Sequence, residues 1–350
     1  MYYEPLDTSC VPKTWNISDD LGQIEYIFSD KTGTLTQNVM EFQKCSINGV
    51  AYGDGIIEAT RGTVQNMGPG DQEEHVRRLK GQMINIIEQS FRNPYLQKDK
   101  LTLISTQLAE EMVDPNSPQR PHIVAFFRAL AICHTVLAEK PEPHEQPYFI
   151  TYKAESPDET ALVGAARDVG VPFIRKSKGG IDIEALGQSE RYVPLCVLEF
   201  NSTRKRMSVI VRNPEGRLVL YCKGADSVIY ARLAADQDPD LKESTAQDLE
   251  TFANAGLRTL CVAYRYLDEA EYEEWQRTYD AAASAVQDRE EAIDKASELI
   301  ERNLHILGVT ALEDKLQEGV PETIQMLHKA GIKLWILTGD KVQTAVEIGT

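Results

Sequence analysis

The chain has 350 residues, 42% of them hydrophobic and 26% charged, with 37 Lys and Arg against 54 Asp and Glu for a formal charge of −17. That composition excludes global disorder, and so acidic a chain is no bulk nucleic-acid binder, because phosphate backbones are held by clustered cations. No run reaches the length of a membrane-spanning apolar helix, and Met1 to Pro5 lacks the basic and apolar regions of a secretory leader, so the polypeptide reads as soluble.

Residues 1–22 read as a linker with turn-forming Pro5 and Pro12. Gln23 to Phe28 alternates and is β-branched and aromatic, which predicts a strand ending in the polar turn Ser29-Asp30-Lys31-Thr32-Gly33-Thr34. Residues 52–120, rich in Gly, Gln, Asn and Pro, predict peripheral loops around one helix from Glu73 to Phe91. Phe126 to Leu137 predicts an apolar helix, and Pro141 to Pro147 an exposed loop. From Tyr192 to Ile229 short strands are expected around a turn at Asn213-Pro214-Glu215-Gly216. Residues 268–301 carry 12 acidic and 3 basic residues and predict a solvated helical hairpin.

Val320, Ile324 and Leu327 are spaced as one stripe of a helix that Gly331 ends. Ile332 to Leu337 then reads as a buried strand, followed by Thr338-Gly339-Asp340-Lys341. Helix, strand and polar turn in this order belong to a parallel α/β sheet, in which ligands sit beyond the carboxyl ends of the strands. Both polar turns fall at such ends. The nearly three hundred residues between them are too many for a loop and predict an inserted domain.

Phosphoryl transfer to a carboxylate needs an exposed Asp at a strand end, backbone donors for the phosphate, and a Mg²⁺ ion against the gathering negative charge. Asp30 suits the first role, Lys31, Thr32 and Gly33 the second, and Asp30 with Thr32 the metal. Thr338 and Gly339 suit the transferred group, with Asp340 beside them for nucleotide or metal. Residues 201–224 hold six basic residues and one acid, a net +5 run that is either a local anion site or a charged strand edge. The six cysteines (Cys10, Cys45, Cys133, Cys196, Cys222 and Cys261) form no C-x-x-C pair, which reads as a reduced cytosolic compartment. Cys133, His134 and His144 lack zinc-ligand spacing, the sequons at Asn16 and Asn201 read as chance matches, and no P-loop is present.

Asp30-Lys31-Thr32-Gly33-Thr34-Leu35-Thr36 resembles the phosphorylation motif of P-type ATPases, members of the haloacid dehalogenase superfamily. Phosphatases of that superfamily carry a second Asp two places after the nucleophile as general acid and base; here Thr32 stands there, which points to a gated pump cycle rather than free hydrolysis. Ser156-Pro157-Asp158-Glu159, the stretch Glu199 to Ser208, Lys223-Gly224-Ala225-Asp226 and Gly256 to Leu260 look like nucleotide-domain motifs of the type-IV branch, the phospholipid-transporting flippases. Glu313 to Pro321 and Trp335 to Lys341 look like flippase segments too, so the resemblance runs through the chain in the family's order.

The resemblance implies a fold: a partial Rossmann-like haloacid dehalogenase phosphorylation domain with a large inserted α+β nucleotide-binding domain on an antiparallel sheet. Its boundaries would be 1–22 for a linker from a membrane helix, 23–45 and 306–350 for the phosphorylation domain, truncated at its end, and 46–305 for the insertion. Phe200 would stack on adenine, Lys223 line the purine pocket, Glu159 hydrogen-bond the base region, and Arg258 reach the phosphates. Asp30 would take the γ-phosphoryl of Mg-ATP, with Asp30, Lys31, Thr32, Thr338, Gly339 and Asp340 around it.

In the full-length protein the resemblance also implies a phospholipid substrate, an accessory glycosylated β-subunit, and the cytosolic face of a plasma, Golgi or endosomal membrane. Membrane helices, an actuator domain and the second half of the phosphorylation domain are missing from the family pattern, so the expectation is a cytosolic piece that binds nucleotide without turnover. A soluble phosphatase of the same superfamily is the alternative.

Overall fold

Continuous apolar runs such as Val209-Ile210-Val211 and Leu218-Val219-Leu220 belong to strands covered on both faces, and this is where they lie. The computed structural model describes residues 2–3, 7–9, 11, 20, 22–55, 69–141 and 144–338. These divide into two compact units, one of residues up to Asn38 with those from Lys315, the other of Val39 to Asp314.

The smaller unit holds a short antiparallel pair, β1 (Tyr2–Tyr3) and β2 (Thr8–Ser9), and a parallel pair, β3 (Tyr26–Asp30) and β15 (Lys333–Leu337). Before β15 comes helix α9 (Val320–Lys329), whose least exposed positions include the expected stripe of Val320, Ile324 and Leu327. Gly331 closes α9 in the left-handed region, φ 79°, donating to the His328 carbonyl at 3.0 Å. The strand expected from Gln23 begins three residues later, at Tyr26.

In the larger unit the strands are β4 (Thr36–Ile47), β5 (Val50–Tyr52), β8 (Phe173–Ser177), β9 (Gly180–Ala185), β10 (Gln188–Leu198), β11 (Arg206–Arg212), β12 (Leu218–Gly224), β13 (Arg258–Leu267) and β14 (His305–Leu316). They form a nine-stranded sheet in the order β5-β4-β14-β13-β12-β11-β10-β9-β8. The ladder is antiparallel from β14 to β8. A two-stranded ribbon, β6 (Leu137–Glu139) with β7 (Thr151–Lys153), stands beside it in the chain.

Helices α1 (Pro69–Ser90), α2 (Thr106–Val113), α3 (Arg120–Ile132) and α4 (Pro157–Val169) cover one face of the sheet. Their Met83, Leu108, Phe126 and Leu162 pack with Val209, Val211 and Val219 in one core. Helices α5 (Asp226–Tyr230), α6 (Pro239–Asn254), α7 (Glu269–Ala283) and α8 (Arg289–Ile300) cover the other. There Ile229, Phe252, Trp275 and Ile300 pack with the alternate strand residues Ile210, Leu220 and Cys222. Period-two alternation thus divides each central strand between two cores.

The helix expected at Glu73–Phe91 is α1, and the acidic stretch 268–301 folds as the α7–α8 hairpin. That hairpin is not wholly solvated: Tyr272, Trp275 and Ile300 are buried, and the Trp275 indole donates to the Ala296 carbonyl at 2.8 Å. The apolar helix expected over Phe126–Leu137 starts earlier, at Arg120, and stops at Ile132, where Cys133 leaves helical geometry with ψ 74°.

Candidate functional site

Helix α4 builds the centre of the site. Ser156 precedes it in extended geometry, and Pro157 opens it with a φ already suited to the first turn. Asp158 and Glu159 then stand in that turn, where the helix dipole favours carboxylates.

Glu159 is buried, and both its oxygens are engaged. Oε1 accepts from Lys223 Nζ at 2.7 Å; Oε2 accepts from the Thr135 hydroxyl at 2.7 Å and the Thr135 amide at 3.1 Å. Burial alone would raise the Glu159 carboxyl, but Lys223 and Thr135 outweigh it and hold it below the usual carboxylate range. The Asp158 carboxylate accepts from Arg258 Nη1 at 3.0 and 3.2 Å. One helical turn therefore brings Glu159, Lys223 and Arg258 together.

Beside them, His134 is buried edge-on to Phe173, its ring centroid 4.5 Å away. Its Nδ1 accepts from the Val136 amide at 3.0 Å and its Nε2 lies 2.9 Å from the Ala131 carbonyl, which fixes the tautomer with the proton on Nε2. Burial, with Lys223 nearby, lowers this imidazole to about 3, so it is neutral. Both ring nitrogens are thus engaged by the backbone of the same segment.

Phe200 leaves the sheet end just beyond Leu198, whose partner Ser208 also pairs with Cys222 of β12. In that register Phe200 and Lys223 lie at the same end of the sheet, just past β10 and on β12, with β11 between them. The Phe200 ring is 63% exposed and belongs to no core, so an ordinary buried aromatic is the wrong description of it. Gly224 permits the close approach here, because a Cβ on it would stand 2.5 Å from Arg206 Cβ and 2.6 Å from the Lys205 carbonyl.

Four of the six cations in the run 201–224 are answered by carboxylates. Arg204 and Arg206 are buried against Glu301, Arg212 pairs with Glu269, and Lys223 with Glu159. Arg217 lies over the Tyr266 ring at 3.6 Å. Arg204, Arg206 and Arg212 thus answer the acidic run that follows them in sequence.

In the smaller unit, Asp30 ends β3 with its side chain exposed, in register with Leu337 of β15. Among the described residues no hydrogen bond engages its carboxylate. Lys31 is buried, Thr32 and Gly33 are exposed, and Gly33 has φ 76°, with its amide donating to Thr36 Oγ1 at 3.0 Å. Thr338 follows β15 directly and is half-buried. Gly339 and Asp340 lie outside the described residues.

Residues 122–319, more than half of the chain, match the family described as P-type ATPase, cytoplasmic domain N. The chain belongs to that family. The match takes in α4 and the strands that carry Lys223 and Arg258, so that part of the site lies within the P-type ATPase cytoplasmic domain N.

All of this chain aligns with phospholipid-transporting ATPase DNF1 of Chaetomium thermophilum at 51% identity, covering 23% of that protein. It aligns over its whole length with phospholipid-transporting ATPase dnf2 of Schizosaccharomyces pombe at 50% identity, covering 25%, and with phospholipid-transporting ATPase IC of Homo sapiens at 46%, covering 26%. The chain thus spans about a quarter of the length of these relatives. Among the described residues no helix is long and apolar enough to cross a membrane.

Sequence motifs give roles to Glu159, Lys223 and Arg258; Asp158 stands in one of those motifs without a role, and Thr135 in none. Asp158 was legible in principle as the other acid of the helix's first turn. Thr135 carried no signal, because its partner is 24 residues away.

Proposed function

We propose that this chain is the nucleotide-binding part, with a portion of the phosphorylation domain, of an ATP-driven phospholipid flippase. In this reading the adenine ring stacks on exposed Phe200, with Glu159 and Lys223 lining the base region. The Lys223 charge is already answered by Glu159, so that end of the site is close to neutral and suits an uncharged purine. Arg258 reaches the phosphates, where a guanidinium fork has most to offer.

Asp30 is the acceptor of the γ-phosphoryl in the whole protein. The observation that carries this step is the Leu337–Asp30 register of the parallel pair, which starts both polar turns from one end of it. The same pair supports a haloacid dehalogenase-type phosphorylation domain built on β3 and β15, in the unit that reaches Asn38 and resumes at Lys315. Thr32 lacks the acid–base carboxylate of a phosphatase, so the aspartyl phosphate persists until another part of the pump activates water.

Mg²⁺ fits the residues present: the exposed Asp30 carboxylate and the oxygens of Thr32 are hard donors of the kind it takes. When bound, it would offset the negative charge of the phosphoryl group. The phospholipid, a glycosylated accessory subunit and the membrane belong to the whole protein.

γ-Labelled ATP separates the readings. The chain alone is expected to bind nucleotide without turnover, and the whole protein to carry acid-stable label that Asp30→Asn abolishes. Rapid turnover of a small phosphate ester by the chain would overturn both in favour of a soluble phosphatase.

A further inference from the structure

The loop that presents Phe200 is anchored from beneath. Glu301, directly after α8, is fully buried, and three side-chain donors converge on it. Its Oε1 accepts from Arg204 Nη2 at 2.5 Å and from Ser208 Oγ at 2.6 Å, and its Oε2 from Arg206 Nε at 2.7 Å. Arg204 then reaches back along the loop, Nη1 to the Glu199 carbonyl at 3.0 Å, while its amide donates to Asn201 Oδ1 at 2.7 Å. Asn201 Nδ2 donates to Asp294 Oδ1 of α8 at 2.8 Å. Both neighbours of Phe200 are thereby held, Glu199 through Arg204 and Asn201 through α8, while the Phe200 ring itself stays open.

A buried carboxylate with two guanidiniums is an expensive way to fill space, because apolar side chains of the same volume are often as stabilising. What it supplies here is a fixed backbone at Glu199–Arg204. A loop ordered before binding does not pay its ordering entropy on binding, and that saving appears as affinity.

Resting on the nucleotide reading above, we propose that Glu301, acting through Arg204, is a positioning residue that preorganises the Phe200 loop for stacking on an adenine ring. Neither residue touches the base. Because the effect runs through Phe200, it weakens adenosine and ATP by the same factor.

Calorimetric or NMR titration of the full chain with adenosine and with ATP tests this. Glu301→Gln is expected to raise both Kd values about tenfold, the cost of roughly one ordered side chain and its backbone. Since that variant leaves two arginines without their counter-charge, Asn201→Ala, which frees the same loop at its half-exposed rim, provides a second reading with an expected loss in the same direction. In a Phe200→Ala background neither change has a further effect on Kd.

Folded variants with unchanged Kd, or losses that persist undiminished in the Phe200→Ala background, would overturn the positioning role. If the parent chain binds neither adenosine nor ATP, or Phe200→Ala leaves binding intact, the nucleotide reading itself fails and takes this inference with it.

Discussion

Lys223 Nζ donates to Glu159 Oε1 at 2.7 Å, joining the end of β12 to the first turn of α4 with both groups almost shielded from water. Removing one partner leaves the other buried and charged, so Lys223→Met is expected to cost about 3 kcal/mol in urea unfolding. Glu159→Gln should cost a similar amount. Replacing both by apolar residues of like volume should recover much of the loss, because the pair's attraction is largely spent on its own desolvation. A double variant as unstable as the sum of the singles would contradict this. The Glu159 carboxyl is held below its usual value, so the pair's contribution is present above about pH 4.5 and is lost as pH falls through the folded value.

His134 gives a second pH window. Buried neutral and lowered to about 3, it takes up its proton in the unfolded chain near pH 6.5 but resists it when folded. The unfolded state then binds more protons, so stability falls as pH drops from about 6.5 towards 3, by up to about 1.4 kcal/mol per pH unit. Urea midpoints at pH 7 and pH 5 should converge in His134→Gln relative to the parent chain. Equal pH dependence in the two would rule out His134 as the cause.

Gly224 is a packing test. An alanine there would press its Cβ to 2.5 Å from Arg206 Cβ and against the Lys205 carbonyl, both rigid parts of β11 and its lead-in. Gly224→Ala is expected to destabilise by about 1–3 kcal/mol and to displace the sheet end that carries Lys223. Thermal unfolding measures the first effect, and amide chemical shifts of residues 204–208 the second.

Much of the fold was legible because its signals are local. The stripe of Val320, Ile324 and Leu327, the glycine stop at Gly331 and the hairpin at Asn213–Gly216 each depend on a few neighbouring residues, and each appears. Charge runs were less legible. Read separately, the +5 stretch at 201–224 left an anion site and a charged strand edge both open, and the acidic stretch at 268–301 looked like a solvated hairpin. In the fold, Arg204 and Arg206 meet Glu301, and Arg206 and Arg232 share Glu298, about 66 to 97 residues apart in sequence. Such pairings depend on which helix lies on which sheet face, and a sequence window does not contain that. The site divides the same way: Asp158, Glu159 and Lys223 stand in motifs, while Thr135 acts through a contact that only the fold creates.

The central claim is that an adenine nucleotide binds at the sheet end carrying Phe200, Lys223 and Glu159. Titration of the chain with ATP, compared with Phe200→Ala, tests it most directly, since an exposed ring can be removed without opening the core. Base stacking on an aromatic contributes about 1–3 kcal/mol, so Phe200→Ala should raise the Kd about tenfold or more while leaving the urea midpoint unchanged. The same Kd in both proteins would contradict the assignment.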